Sequence, residues 1–276
     1  MVQLFNPKPI SEFSQSTAGA VKYVFSDLDD TITTHGRLEP QTYQALCDLA
    51  IAGIKLIIVT GGPAGWCDCI AKMWPVHAVV GEGGAFYMYK DPQTEKLVTR
   101  EFVAPSEREE YASKIQALKE KLLNQFPALC FSSDQFSRLY DLAIELSSLQ
   151  TPNNTCTPQP IGVSLEEVLS FLHAEGLTTK ISSIHINAAW GMWDKLSSTQ
   201  TMARELMGID LEDIIEESAF IGDSLNDELM FKFFKHTVGV ANLERYSKAL
   251  KYAPEWITSS ERGAGFAEFA QVLLFK

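Results

Sequence analysis

The sequence predicts an α/β protein, with a Rossmann-like parallel sheet core and an inserted α+β cap domain. Two observations support this fold class. Short runs of β-branched and aromatic residues alternate with helical patterns at both ends of the chain, which is typical of parallel strands joined by helices. The middle of the chain instead has neighbouring strand patterns around a turn, as in an α+β unit. With 276 residues, 46% of them hydrophobic, the chain is long enough to bury a large core.

The first elements follow this alternation. We expect residues 1–20 to form a loosely held N-terminal arm rather than a secretory signal, because they contain no continuous apolar run. Buried strands are predicted at 21–26, 54–59 and 77–80. Helices are predicted at 40–52 and 66–73, and Gly53 suits the end of the first.

After Gly84 the pattern changes. Residues 85–90 and 97–103 flank a turn at Asp91-Pro92 and predict an antiparallel hairpin. Further on, helices are predicted at 106–125 and 164–174, strands at 138–146 and 181–188, and a loop at 150–159. The α/β alternation then returns with a helix at 197–207 and strands at 219–222 and 237–240. We therefore predict a core formed by residues 21–84 and 189–276, and a cap formed by 85–188.

Composition excludes several classes of partner. The formal net charge of −12 leaves no basic surface for nucleic acid or for an anionic membrane. No run of about 18 apolar residues is present, so no membrane span is expected. The five cysteines include no CxxC pair, which favours free thiols in a cytoplasmic protein over disulfides or a zinc ribbon.

Chemically reactive residues follow the predicted strands. Asp27 and Asp29 end the first strand, and Thr60 and Gly61 end the second. The remaining residues of this kind are Lys195, Asp223, Asn226 and Asp227. Functional groups in open parallel sheets collect beyond the carboxyl ends of the strands, so we expect these residues to share one crevice.

The expected chemistry is phosphoryl transfer. If Leu28 points into the core, both flanking carboxylates turn towards the crevice. Carboxylates packed together repel, and a hard divalent cation such as Mg²⁺ relieves that cost. One carboxylate can then attack phosphorus while the other transfers protons. Thr60 and the Gly61 N–H can hold the phosphoryl oxygens, and Lys195 can offset their charge.

These motifs resemble those of the haloacid dehalogenase-like hydrolase superfamily. The matching residues are Asp27-x-Asp29-x-Thr31, Thr60, Lys195, and Gly222-Asp223-x-x-Asn226-Asp227. The inserted segment resembles the α+β cap, of the C2 type, found in the Cof-like and sucrose-phosphatase-like branch.

The resemblance implies a role for each residue. Asp27 would be the nucleophile that forms a phosphoaspartyl intermediate, and Asp29 the general acid and base. Mg²⁺ would be held by the Asp27 carboxylate, the Asp29 backbone carbonyl and Asp223. Thr31, Asn226 and Asp227 would support the site, with Asn226 also contacting the substrate. The expected substrate is a small phosphorylated metabolite, such as a sugar phosphate.

Three positions depart from the branch. Gly62 stands where relatives usually have Arg, Gly83 where they have Asn, and Leu196 where Gly is common. The first two put substrate handling in question rather than phosphoryl chemistry. Two other functions use the same motifs: a phosphomutase, and a catalytically idle protein that binds a phosphorylated ligand. The sequence names neither the substrate nor the oligomeric state.

Overall fold

The computed structural model describes residues 5–149, 163–182 and 184–275. The predicted loop at 150–159 lies outside these residues. The strands are β1 Lys8–Pro9, β2 Tyr23–Ser26, β3 Lys55–Val59, β4 Ala78–Gly81, β5 Phe86–Lys90, β6 Leu97–Glu101, β7 Leu142–Glu145, β8 Thr178–Ile181, β9 His185–Ala189, β10 Ser218–Gly222, β11 His236–Gly239 and β12 Trp256–Ile257. The helices are α1 Gln15–Ala20, α2 Pro40–Ile51, α3 Ala64–Met73, α4 Arg108–Gln125, α5 Leu165–Ala174, α6 Lys195–Met202, α7 Glu228–Phe233 and α8 Arg262–Leu274.

A large sheet forms the core, with the strand order β1-β12-β11-β10-β2-β3-β4-β5-β6. Every neighbouring pair of strands from β1 to β4 in this order is parallel. Strand β5 pairs antiparallel with both β4 and β6. Strand β2 lies between β3 and β10, so the carboxyl ends of these three strands meet at one edge. The predicted α/β core is confirmed.

Both faces of the large sheet are covered, because its strands are apolar on both sides. Val24 faces one hydrophobic cluster, with α2, α3 and α8, while the next residue, Phe25, faces the other, with α6 and α7. Continuous apolar runs of this kind are what buried parallel strands require.

The hairpin of β5 and β6 belongs to the large sheet. The predicted boundary after Gly84 assigns it to the cap, but β5 pairs antiparallel with β4. The reason is burial on both faces: Phe86 and Met88 join one core cluster and Tyr87 the other. The hairpin therefore completes one side of the core, and the inserted unit starts after it.

The inserted unit contains a smaller antiparallel sheet with the order β7-β9-β8. One face packs on α4 and α5 through Leu142, Ile144 and Ile186. Because side chains alternate along a strand, the other face carries Glu145, His185 and Asn187. Strand β7 is shorter than the predicted strand at 138–146, because Arg138 and Asp141 form buried polar contacts instead. Strand β8 was not predicted, since its sequence Thr-Thr-Lys-Ile lacks an apolar pattern.

The prediction of a loosely held N-terminal arm is wrong for the described residues of that segment. Strand β1 pairs with β12, and Ser14 caps α1 by accepting a hydrogen bond from the Thr17 N–H. The side chains of Ile10 and Phe13 are buried in the core. Isolated apolar residues in a polar stretch gave no periodic signal, so the sequence did not reveal this packing.

Helix α8 was also missed, because Gly263 and Gly265 interrupt its apolar pattern. Both glycines permit close approach. A Cβ atom at Gly263 would lie 2.7 Å from the carbonyl oxygen of Ile32, and one at Gly265 would lie 2.4 Å from that of Ser260. The glycines let α8 pack tightly on the strand-end loops.

Replacing Phe13 tests whether the N-terminal segment is part of the core. Phe13 is 5% exposed and its ring lies 4.6 Å from the Trp256 ring, centroid to centroid. We expect Phe13→Ala to lower the free energy of unfolding by about 3–5 kcal/mol, through lost burial and a cavity. Urea denaturation measures the change. Phe136→Ala is the matched control, since Phe136 is 90% exposed; equal stability of the two variants would contradict the packing role.

Candidate active site

Asp27 and Asp29 lie at the carboxyl end of β2, on either side of Leu28. Leu28 is 1% exposed and packs in the core, while both aspartates line one cavity. The Asp27 N–H donates to the Ile221 carbonyl at 3.0 Å, which continues the pairing of β2 with β10. The Thr31 hydroxyl donates to Asp27 Oδ2 at 3.3 Å. The sheet therefore fixes the backbone of Asp27, and Thr31 holds its carboxylate.

Lys195 is the first residue of α6 and its side chain is buried. Its Nζ lies 2.6 Å from Asp27 Oδ1, 2.8 Å from Asp227 Oδ1 and 3.1 Å from Asn226 Oδ1. Three acceptors satisfy the three donors of an ammonium group. Burial alone would lower the pKa of Lys195, but Asp227 and Asp27 raise it overall. The side chain is therefore a fixed cation beside Asp27.

Asp227 organises the loop after β10. Its Oδ2 accepts hydrogen bonds from the N–H groups of Asp223 and Ser224, at 3.1 and 3.2 Å, while its Oδ1 accepts from Lys195. A Cβ atom at Gly222 would lie only 2.5 Å from Asp227 Oδ2. Glycine at this position is therefore what allows the carboxylate to approach the backbone.

Asp223 completes a buried acidic cluster. One carboxylate oxygen from each of Asp27, Asp223 and Asp227 lies within 4.8 Å of the other two. Asp223 Oδ2 accepts from Asn242 Nδ2 at 3.0 Å and from an Arg245 Nη2 at 2.9 Å. The cluster therefore brings together residues from the ends of two neighbouring strands, β2 and β10.

The acidic groups are held at an electrostatic cost. Burial, opposed by Lys195 but assisted by Asp227 and Asp29, raises the pKa of Asp27 to about 7. Burial and the charge of Asp27 also raise the pKa of Asp223. Burial raises the pKa of Asp29, although His185 and Arg138 oppose the shift. Such a cluster of hard oxygen donors is the environment that a divalent cation stabilises.

Thr60 and Gly61 take different positions. The Thr60 hydroxyl is buried and accepts a hydrogen bond from the Gly62 N–H at 2.9 Å, and Thr60 does not line the cavity that holds Asp27. Gly61 does line it. Within residues 5–149, 163–182 and 184–275, nothing accepts a hydrogen bond from the N–H of Leu28, Asp29 or Gly61. These backbone donors are available to an anion in the cavity.

The cavity at Asp27 has a volume of about 290 Å³ and lies between the core and the polar face of the small sheet. Its wall on the inserted unit includes Ser132, Arg138, Glu145, His185 and Asn187. Sequence reasoning missed these residues. Alternation along the strand predicted at 181–188 would have put His185 and Asn187 on one face, but it did not show that this face covers Asp27.

A second cavity of about 770 Å³ shares Gly61, Asn187 and Asn226 with the first. Lys180 and Lys195 line this second cavity, whereas Asp27 and Asp29 line only the first. The carboxylates expected to react with a substrate are therefore reached from the first cavity.

Two of the sequence departures lie beside basic residues of the inserted unit. A Cβ atom at Gly83 would lie 3.1 Å from Lys180 Nζ, and this amine donates to the Gly83 carbonyl at 2.9 Å. Next to Gly62, the carbonyl of Gly61 accepts from Arg138 Nη1 at 2.9 Å. Basic groups of the inserted unit thus lie against both glycine positions. The structure offers no explanation for Leu196.

No protein-family model and no curated protein matches the sequence. No helix among the described residues is both long and apolar enough to span a membrane.

Solved structures do match over nearly the full chain. A trehalose-6-phosphate phosphatase C-terminal domain from C. albicans has a TM-score of 0.67 at 13% identity, covering 99% of each chain. A putative HAD/COF-like hydrolase from Plasmodium vivax has a TM-score of 0.65 at 16% identity, covering 95% of this chain and 99% of that one. The sucrose-phosphatase of Synechocystis, solved with sucrose and phosphate, has a TM-score of 0.58 at 15% identity, covering 91% and 97%.

At identities this low, the structural similarity establishes the fold alone. The activity has to be argued from the site. The motifs in the sequence predicted this fold, and the matches over more than nine-tenths of the chain confirm it. The chain has the fold of the haloacid dehalogenase-like hydrolases, in the form found in the Cof-like and sucrose-phosphatase-like branch.

Proposed function

We propose that this protein is a magnesium-dependent phosphatase that hydrolyses a small phosphorylated metabolite through a phosphoaspartyl intermediate on Asp27. One observation carries the proposal. The Asp27 carboxylate is buried beside a fixed ammonium group, Lys195, and opens onto the same cavity as Asp29 and Asp223. A nucleophile, a proton-transfer group and a cation-binding carboxylate are thus available at one point.

In the first step, an Asp27 carboxylate oxygen attacks phosphorus. The new P–O bond forms as the bond from phosphorus to the leaving oxygen breaks, and the leaving oxygen takes the electron pair. Protonated Asp29 donates a proton to that oxygen, so the product leaves as a neutral alcohol. The raised pKa of Asp29 supports this role, because it favours the protonated form that an acid needs.

In the second step, Asp29, now ionised, accepts a proton from water, and the water oxygen attacks phosphorus. The bond between phosphorus and Asp27 breaks, which releases inorganic phosphate and restores the carboxylate. The N–H groups of Leu28 and Gly61 would donate to the phosphoryl oxygens, and the positive charge of Lys195 beside Asp27 would offset their negative charge. Thr60 would act indirectly, by holding the Gly62 N–H and so the shape of the loop.

The residues present fit a magnesium ion. Asp27 and Asp223 would each supply a carboxylate oxygen, and the Asp29 carbonyl would supply a third ligand. No described group donates a hydrogen bond to that carbonyl. Asp227 would support the site by holding Lys195 and the N–H groups of Asp223 and Ser224 in place. A bound Mg²⁺ would neutralise charge on the transferring phosphoryl group.

The expected leaving group is a neutral polyol or sugar. Beyond Asp29, the cavity offers hydroxyl groups, an imidazole and carboxylates, including Ser132, Asp134, Glu145 and His185. Such acceptors suit sugar hydroxyl groups and repel an anionic leaving group. Two of the similar structures are named as phosphatases of sucrose and trehalose phosphates, which supports the same substrate class.

The described residues of the inserted unit, from the end of the β5–β6 hairpin through β9, would act as the cap, which covers the cavity, limits access of water and contacts the leaving group. We also propose a reducing, cytoplasmic location. The cysteines at 47, 67, 69 and 130 are free thiols, as expected for a protein in such a compartment.

The two alternative functions differ in product. A phosphomutase returns the phosphoryl group to its substrate, so release of inorganic phosphate without an added bisphosphate separates it from a phosphatase. A catalytically idle protein would bind a sugar phosphate tightly and release no phosphate. The Asp29 carboxyl in the cavity is available for proton transfer, which favours a catalytic function over an idle binding protein.

Removing the nucleophile tests the central role. We expect Asp27→Asn to lower phosphatase activity on p-nitrophenyl phosphate by about ten-thousandfold or more, without loss of the folded state by circular dichroism. Asp68→Asn is the control, because Asp68 is an exposed residue paired with Lys72. Activity of Asp27→Asn close to wild type would refute the assignment.

Metal dependence has its own test. We expect EDTA-treated protein to be inactive and Mg²⁺ to restore activity. Asp223→Asn should raise the Mg²⁺ concentration needed for half-maximal activity at least about tenfold, because a carboxylate ligand is lost. The measurement is a Mg²⁺ titration of the metal-free protein, and an unchanged midpoint would exclude Asp223 as a ligand.

Asp29→Asn separates the two proton transfers. The p-nitrophenolate group leaves without protonation, so phosphorylation of Asp27 should persist, while attack by water should slow by about 10²- to 10⁴-fold. Stopped-flow absorbance should therefore show a burst of about one nitrophenolate per protein followed by slow turnover. A uniform loss with no burst would mean that Asp29 acts before the intermediate forms.

A further inference from the structure

Arg138 links the inserted unit to the core beside Asp27. Its guanidinium is 1% exposed and forms a two-point contact with Asp134, Nε–Oδ1 at 2.9 Å and Nη2–Oδ2 at 3.4 Å. Its Nη1 lies 2.9 Å from Asp141 Oδ1 and 2.9 Å from the carbonyl oxygen of Gly61. Two carboxylates of the inserted unit thus aim the arginine at one peptide group of the core.

This peptide group belongs to the loop that lines the cavity. Its N–H, from Gly62, donates to the Thr60 hydroxyl at 2.9 Å, and its carbonyl, from Gly61, accepts from Arg138. The preceding carbonyl, from Thr60, accepts from the Gly83 N–H at 2.9 Å. Every polar group of the two peptides flanking Gly61 therefore has a protein partner except the Gly61 N–H. Gly61 lines the cavity that also holds Asp27.

A second contact holds the same parts together. The carboxylate of Glu82, in the core, accepts from the N–H groups of Leu139 and Tyr140 at 2.8 and 2.6 Å, and from Ala64 at 3.0 Å. Two sets of hydrogen bonds therefore connect the inserted unit to the core. Arg138 donates to the carbonyl of Gly61, and the N–H groups of the next two residues donate to the carboxylate of Glu82.

We propose that Arg138 is a positioning residue, which orients the Gly61 N–H towards the phosphoryl group when the inserted unit lies against the core. This inference rests on the proposed function and deepens it. The arginine does not need to touch the substrate, since its Nε donor, its Nη1 donors and one Nη2 donor are occupied by Asp134, Asp141 and Gly61. The inserted unit then contributes to binding the phosphoryl group as well as the leaving group.

The contact requires an arginine. A lysine could satisfy one carboxylate, but its single nitrogen cannot reach Asp134, Asp141 and the Gly61 carbonyl in a planar fork. With the Gly61 carbonyl released, the loop loses one of the hydrogen bonds that restrain its peptides. Binding of the phosphoryl group should then weaken in every reaction that needs the Gly61 N–H, whatever the leaving group.

The test compares wild type with Arg138→Lys and Arg138→Met. For each protein with Mg²⁺, we would measure kcat and KM for p-nitrophenyl phosphate and for a hexose phosphate, and the dissociation constant of orthovanadate by titration. We expect vanadate to bind about 10- to 100-fold more weakly in both variants. The ratio kcat/KM should fall by a similar factor for both substrates.

Other outcomes would overturn the proposal. A loss confined to the hexose phosphate would mean that Arg138 contacts the leaving group directly. Lower thermal stability with unchanged vanadate affinity would mean that its role is structural. If Arg138→Met does not fold, the triple variant with Asp134→Asn and Asp141→Asn removes the unpaired charges and allows the same measurements. Arg100→Met is the control, because Arg100 is half exposed and pairs with Glu205.

The vanadate titration also separates this inference from the proposed function. A wild type that binds vanadate but does not turn over substrate would contradict the phosphatase function. The comparison of vanadate affinity between wild type and Arg138→Lys would still decide the role of the arginine.

Discussion

The interaction on which the site depends is the buried contact of the Lys195 ammonium with Asp27 and Asp227. Buried carboxylates this close together repel, and Lys195 opposes the rise that burial causes in the pKa of Asp27. The lysine comes from the helix after the inserted unit, and the aspartates come from two neighbouring strands. Correct folding of the large sheet, with the return of the chain through α6, is therefore a condition for a charged, reactive Asp27.

Those parts of the fold that depend on local pattern were predictable. The apolar runs at β2, β3, β4 and β10 are continuous because both of their faces are buried, and such runs are easy to recognise in a sequence. The β5–β6 hairpin was predicted as an element but assigned to the cap. Its pairing with β4 is a tertiary contact, which the local sequence pattern does not show. Phe13 and the glycines of α8 act through long-range contacts, so their segments were not recognised.

The site divides in a similar way. Asp27, Asp29 and Asp223 follow strands, and the carboxyl ends of neighbouring parallel strands must meet, so their common location follows from the sequence. Arg138 and Glu82 could not be found in this way. Their partners are backbone groups far along the chain, and a backbone carbonyl or N–H has no signature in the sequence. The geometry of the loop at Gly61 also had to come from the structure, because the Thr60 hydroxyl accepts a hydrogen bond from Gly62 of the same loop.

Strand β1 has a consequence for how the protein behaves in concentrated solution. It is only two residues long, Lys8 and Pro9, both exposed, and it covers the outer edge of β12. A proline cannot donate to an added strand and a lysine resists burial, so this edge discourages pairing between molecules. A proteolytic cut that released the first residues would uncover the hydrogen-bonding groups of β12. Sheet formation between molecules would then compete with the native pairing of β1 on β12.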